Sequence, residues 1–179
     1  NTYNFKNKDV TVKEIFKVML DETAKQIEPY KQNIIASKYS YHQLLTLASI
    51  VELEALNEND RNIVSGVFYN RLNSNMPLGS DVTTYYAAKV DMGERDLYIE
   101  EINAVNAYNT RSYSLAGKLP VSPICNPSIV SIKAAINPTK SNYYFFVADK
   151  NGKVYYTRTN AEHEQLIAEL KRKGLWYTY

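Results

Sequence analysis

Two glutamates, Glu52 and Glu54, stand near the end of an apolar run with helical spacing that extends from Tyr41 to Leu56. On a helical wheel with Glu52 at zero, Leu45 and Leu56 fall within about 40° on one side and Ala48 and Ala55 within about 60° on the other. Glu52 therefore projects from the apolar arc. A carboxylate leaves water only at a high cost, so a glutamate in that position calls for a reason. One reason is general acid chemistry: apolar surroundings disfavour the ionised form and leave a proton available near neutral pH for a leaving-group oxygen. The alternative is a structural glutamate paired with an arginine such as Arg61 or Arg71. Glu54 lies about 160° from Glu52 around the helix, too far for a short-range carboxylate dyad, and is expected to orient an arginine or a backbone amide.

The elements that must position these residues can be read from caps and periodicity. Thr11 precedes a helical stripe of Val12, Ile15, Phe16, Met19 and Leu20, which predicts a helix over 12–27. Ser40-Tyr41-His42-Gln43 has the form of a capping box and starts the helix that carries Glu52. Ile63, Val64, Val67, Phe68 and Leu72 predict a third helix over 59–72, stopped by Asn73 to Pro77. Asp81 caps a short helix through Ala88. Between Arg95 and Asn126 only short elements are expected, with Pro120, Pro123 and Pro127 fixing the backbone. Ser128 caps a helix to Ile136 that must end before Asn137-Pro138. Tyr143–Ala148 and Lys153–Thr157 flank Asp149-Lys150-Asn151-Gly152, the strongest hairpin signal in the chain. A last helix over 160–173 has Thr159 and Glu162 as a capping box and Gly174 as its stop. The expected class is α+β, mostly helical in the first half, with a small antiparallel sheet and a C-terminal helix. Residues 1–179 read as one domain, with 1–40 a helical lead-in and 41–179 the motif-bearing core.

Composition removes several function classes. The 179 residues carry 21 basic and 19 acidic side chains, a formal net charge of +2, without the basic runs expected of a nucleic-acid binder. Cys125 is the only cysteine, which rules out an internal disulfide, and with two histidines there is no metal motif. No cofactor is implied. No apolar run reaches the roughly 20 residues that span a bilayer, and no signal-peptide pattern opens the chain. Sixteen tyrosines against five phenylalanines suit a saccharide cleft, because the ring stacks on a sugar face and the hydroxyl bonds its edge; half-buried packing is the better supported reading.

Ala48-Ser49-Ile50-Val51-Glu52-Leu53-Glu54, followed by Arg61, Val67-Phe68-Tyr69-Asn70-Arg71-Leu72, Met76-Pro77-Leu78 and Asp81, resembles the YceG-like endolytic murein transglycosylases. Tyr108-Asn109-Thr110, the segment from Leu119-Pro120 to Pro123-Ile124, Asn126-Pro127, Ala134-Ala135 with Pro138, Tyr144 to Val147 and Glu162-His163 follow in the family's order, and Asn1-Thr2-Tyr3 resembles the tail of an upstream motif. The chain departs from the pattern at Gly79, where the family often has glutamine, at Arg111 and at Val121-Ser122.

The resemblance implies cleavage of the bond from N-acetylmuramic acid to N-acetylglucosamine within peptidoglycan strands, without water, leaving a 1,6-anhydro ring. Glu52 is the expected catalytic residue, acid first and base second. The resemblance puts Asn70, Arg71, Asp81, Tyr108, Asn109, Thr110 and Asn126 in a substrate-binding set and Glu54, Ser49 and His163 in a supporting one. The three asparagines suit acetamido or hydroxyl groups, with turn or cap chemistry the equal alternative. Tyr108 offers a stacking face, Arg71 either holds the lactyl carboxylate or pairs with Glu54, and His163 is a cleft contact or a surface residue. Peptidoglycan is the implied partner, cell-wall synthases a further one, and the implied location is the outer face of the bacterial membrane, with an N-terminal anchor outside this chain. A hydrolytic muramidase using Asp81 as base or nucleophile and a non-catalytic glycan-binding module are the rival readings.

Overall fold

The computed structural model describes residues 2–5 and 8–176; Asn1 of the upstream motif lies outside them. Helix α1, Val12–Ile27, starts at the expected cap: Thr11 accepts from the Glu14 backbone while the Glu14 carboxylate accepts from the Thr11 N–H. Its apolar stripe, however, has no core to enter. No α1 residue is buried, and Val12, Phe16 and Leu20 are 67, 59 and 66% exposed. A single 3-10 turn at Glu28–Tyr30 and a short α2, Lys31–Ala36, follow, neither of them expected from periodicity.

Helix α3, Tyr41–Glu54, begins at the Ser40/Gln43 capping box and ends two residues earlier than the apolar pattern suggested, leaving Leu56 exposed. Leu44, Leu47, Ala48, Ile50 and Val51 are all buried, so α3 is the central rod of the core. Each of the leucine, isoleucine and valine side chains contributes roughly 1.5–3 kcal/mol on leaving water. Helix α4, Glu58–Asn73, is capped by Asn57 and buries Val64, Val67, Phe68 and Leu72. Helix α7, Ile129–Ile136, capped by Ser128 as expected, packs against both α3 and α4. Ala134 and Ala135, completely buried, let the helices approach closely. Gly66 of α4 is there for the same reason: a Cβ on it would lie 2.1 Å from the Thr139 carbonyl oxygen.

Helix α5, Asp81–Ala88, packs against α3, and α6, Ile99–Asn103, packs against α5. Ser80, not Asp81, occupies the cap position of α5, and Asp81 is its first helical residue. Strands β1, Phe145–Ala148, and β2, Val154–Thr157, form an antiparallel hairpin with Phe145 opposite Thr157 and Ala148 opposite Val154. The turn is held by Asp149, whose carboxylate accepts from the Asn151 and Lys153 N–H groups and from the Tyr155 hydroxyl. Two strands alone are marginal. Here α8, Asn160–Arg172, covers them, and Phe146 meets Phe68 edge to face with centroids 5.8 Å apart, joining the hairpin to the helical core. The architecture is α+β.

Candidate active site

The last turn of α3 carries the two glutamates into opposite environments. Glu52 Oε1 accepts from Arg61 Nη2 at 3.0 Å, and Oε2 accepts from the Ser128 N–H at 2.9 Å and its hydroxyl at 2.6 Å. Arg61 also donates to Ser128 Oγ and, through Nε, to the Ala55 carbonyl at the end of α3. Burial pushes the Glu52 carboxyl up, but the Ser128 hydrogen bonds and the Arg61 charge outweigh it and hold the group below its ordinary value. The apolar, proton-retaining setting expected of Glu52 is thus absent. Arg61 from the start of α4 and Ser128 from the start of α7 reach it, and the wheel, which sees only one helix, contains neither.

That setting belongs to Glu54, two residues on. Among the described residues the only hydrogen bond to its carboxylate comes from the Ser80 hydroxyl, 2.5 Å from Oε1. Burial pushes the Glu54 carboxyl up to about 7; Ser80 opposes the rise, the Asp81 charge adds to it, and the Arg71 charge opposes it. Glu54 therefore titrates near neutrality, where it can both give and take a proton. Ser80 is fixed by its own contacts: its N–H donates to Thr110 Oγ1 at 3.1 Å, and its carbonyl accepts from Thr83 Oγ1 at 2.7 Å. Sequence reasoning passed over Ser80; the signal available was a hydroxyl residue immediately before a helix-starting aspartate.

Arg71 is expected either to hold a substrate carboxylate or to pair with Glu54. Its hydrogen bonds go instead to neutral carbonyls, Nε to Tyr144 at 2.6 Å and Nη1 to Leu78 at 2.5 Å, with the guanidinium over the Phe145 ring. Its charge remains near Glu54 without a contact ion pair. Gly79 has φ +62°, and a Cβ there would lie 2.9 Å from Arg71 Nη1, which accounts for glycine at the position where the family often has glutamine. Asp81 is exposed and pairs with Arg111.

Several residues of the expected substrate-binding set are consumed internally. Asn70 Nδ2 donates to the Ser141 and Tyr143 carbonyls at 2.9 and 2.8 Å, tying the approach to β1 onto α4. Asn109 is fully buried; its amide nitrogen donates to Ile102 and Ala104, and its oxygen accepts from Thr84 Oγ1 and the Arg111 N–H. Thr110, also fully buried, joins Ser80 and Thr83 in a hydroxyl cluster. Asn109 and Thr110 are spent on holding this frame, because a buried amide or hydroxyl whose partners are filled has none left for a sugar, while half-buried Asn70 spends its two N–H donors. Ser49 is likewise buried, donating to Thr46 and accepting from the Ile124 N–H. His163 stacks on Phe145 with centroids 5.4 Å apart, beneath the hairpin, and burial followed by the Arg71 charge holds its imidazole below the ordinary value. Asn126 is exposed. Tyr108 donates to or accepts from Ser122, and its ring meets Tyr86 at 4.9 Å on the wall of a cavity of about 630 Å³ that also takes in Leu53, the residue between the two glutamates.

The family model described as YceG-like matches residues 1–169. An endolytic murein transglycosylase of Bacillus subtilis (strain 168) is 40% identical over 164 residues, covering 92% of this chain and 44% of the relative. One from Streptococcus pneumoniae (strain D39) is 36% identical over 173 residues, covering 94% and 30%. The crystal structure of a yceG-like protein from Listeria monocytogenes superposes with a TM-score of 0.82 at 37% identity, over 93% of this chain and 53% of that one. The chain thus spans less than half the length of the curated relatives it matches.

Proposed function

The chain belongs to the YceG-like family, and from that premise we propose that it is the catalytic domain of a lytic transglycosylase acting within peptidoglycan glycan strands, with Glu54 as its acid and base. The observation that carries the choice of residue is the contrast in partners: Glu54 takes one neutral hydroxyl, from Ser80, and burial pushes its carboxyl up to about 7, whereas Glu52 is held by Arg61 and by two donors of Ser128 that keep its carboxyl low.

Glu54 donates its proton to the oxygen of the bond between N-acetylmuramic acid and N-acetylglucosamine. The bond from the muramyl C1 to that oxygen breaks, and positive charge develops at C1. The carboxylate left behind then takes the proton of the muramyl C6 hydroxyl as O6 closes onto C1, which gives the 1,6-anhydro ring and returns Glu54 to its starting form. Water enters neither step, and the nucleophile belongs to the substrate. Arg71, held by carbonyls, supplies a fixed positive charge that steadies the carboxylate between the two steps. Asp81, exposed and paired with Arg111, is poorly placed to serve as a second carboxylate, which favours transglycosylation over hydrolysis. Asn126 is exposed and keeps a face suited to the strand.

Mass spectrometry of digested glycan tests the reaction. Anhydro-muramyl ends are expected; hydrated reducing ends would replace this reading with a hydrolytic muramidase. Action on peptidoglycan sets the protein outside the cytoplasmic membrane. Among the described residues no helix is long and apolar enough to cross a membrane; an N-terminal anchor and contact with wall synthases belong to this proposal.

Ser80 supplies a second measurement. Because its hydroxyl favours the ionised form of Glu54, Ser80→Ala raises the acid's pKa further. The alkaline limb of the kcat profile, where activity fails as Glu54 loses its proton, then moves up by about one pH unit, the size expected for one hydrogen bond to a charged group. Ser80→Thr keeps the donor and the wild-type limb. An unmoved limb in Ser80→Ala would remove Ser80 from the mechanism.

A further inference from the structure

The cavity beside the end of α3 is a chemical mismatch for a sugar. It lies between Leu53 of α3, the outer side of α5 and the segment that follows, with Val82, Val90 and Met92 as apolar walls. A buried sugar ring needs a hydrogen-bonding partner for most of its hydroxyls, since each one left unpaired costs more than burial returns. Three tyrosines line this cavity, and two have committed hydroxyls: Tyr85 donates to the Arg95 carbonyl at 3.2 Å and Tyr108 bonds Ser122 at 2.8 Å. That leaves Tyr86. What the cavity does offer is a pair of opposite charges. Lys89 and Asp91 both line it, and among the described residues neither side chain is in an ion pair. Lys89 sits at φ 56°, ψ 41°, a left-handed conformation that an L residue with a side chain adopts at some cost and that glycine usually fills at a helix end.

We propose that this cavity binds the peptide stem that branches from the muramyl residue, taking the aliphatic side chain and the zwitterionic end of an amino-acid unit. The methylenes pack on Val82, Val90, Met92 and Leu53, a carboxylate meets Lys89, and an ammonium meets Asp91. The volume, about 630 Å³, accommodates a short peptide segment of a few residues. Leu53 belongs to both the cavity and the helical turn of Glu54, so a stem held here positions its own muramyl unit at the acid. The proposal rests on the reading that the chain acts on peptidoglycan, and its test is arranged to separate the two.

The first probe is a free synthetic stem peptide of alanine, γ-linked glutamate and a diamino acid, titrated to millimolar concentration into the isotope-labelled full chain. Shifts in the resonances of Leu53, Tyr86 and Met92 are expected, with affinity falling roughly tenfold in Lys89→Glu, the loss of about one charge-assisted contact. Exposed Met92→Asp gives a second variant that keeps the fold and is expected to weaken the same binding. No shift at those residues, or equal affinity in wild type and both variants, overturns the proposal. The second probe compares stem-bearing strands with strands stripped by an amidase. Wild type is expected to prefer the former in kcat/KM, and Lys89→Glu to lose that preference while cleaving stripped strands as wild type does. Equal cleavage of both strands by wild type overturns the proposal. Peptide binding at the cavity without cleavage of either strand upholds it and strikes the reaction assigned to Glu54 instead.

Discussion

Glu54→Gln leaves a folded protein whose cleavage of glycan strands falls by roughly a thousandfold or more, the loss expected when one group supplies both proton transfers. Its effect on stability has the opposite sign. The Glu54 carboxyl titrates at about 7 in the folded chain against an ordinary 4.5, so folding favours the protonated form. That contribution is fully present below pH 4.5 and is lost as pH rises through 7, where a buried charge must be accommodated. Glutamine carries no charge to accommodate. The variant therefore melts higher than wild type at pH 8, by an amount on the order of 2 kcal/mol once partial exposure is allowed for, and the two curves converge toward pH 4. Glu52→Gln does the reverse: it weakens the contacts to Arg61 and Ser128, costs about 1.5–3 kcal/mol at neutral pH, and leaves kcat within a few-fold of wild type. A dead but stable Glu52→Gln beside an active Glu54→Gln would exchange the two assignments.

Gly66→Ala is expected to destabilise the fold, against the helix propensity of alanine. By helix propensity alone, alanine inside α4 would add about 1 kcal/mol. The added Cβ would meet the Thr139 carbonyl oxygen at 2.1 Å and its carbon at 3.2 Å, and both are backbone atoms. Thr139 cannot retreat freely, because its N–H donates to the Asn62 carbonyl on the same helix. Overpacking of this kind costs roughly 1–3 kcal/mol and more where neither side yields, so the net change is a loss. Thermal unfolding should show a midpoint lower by about 5 °C or more. An unchanged or higher midpoint would mean that the segment after α7 moves easily, and the close approach would lose its role as a fixed contact.

The helices were legible wherever a cap and a stripe coincided: Thr11, Ser40, Ser128 and Thr159 each cap the helix their side chains announced. Periodicity misled at α1, whose stripe meets no partner among the described residues, and was silent on α2 and α6, which are too short to display a period. The site was half legible. The sequence placed an acid in the last turns of α3, but the choice between Glu52 and Glu54 depends on Arg61 and Ser128, the latter 76 residues away. A wheel ranks side chains by the company of their own helix, and here the decisive company comes from two other helices. The burial of Asn109 and Thr110 was no more legible, for a related reason: amides and hydroxyls serve the chain's own backbone as readily as a ligand, and their hydrogen-bond partners tell which.

The Arg61 contacts also have a mechanical side. One guanidinium ties the end of α3, the first turn of α4 and the start of α7, so the turn bearing Glu54 shifts only if three helices shift with it. The Ser80, Thr83 and Thr110 hydroxyls hold the start of α5 in the same frame. On the reading that Glu54 is the acid, a strand drawn past the site thus meets a carboxyl of fixed height.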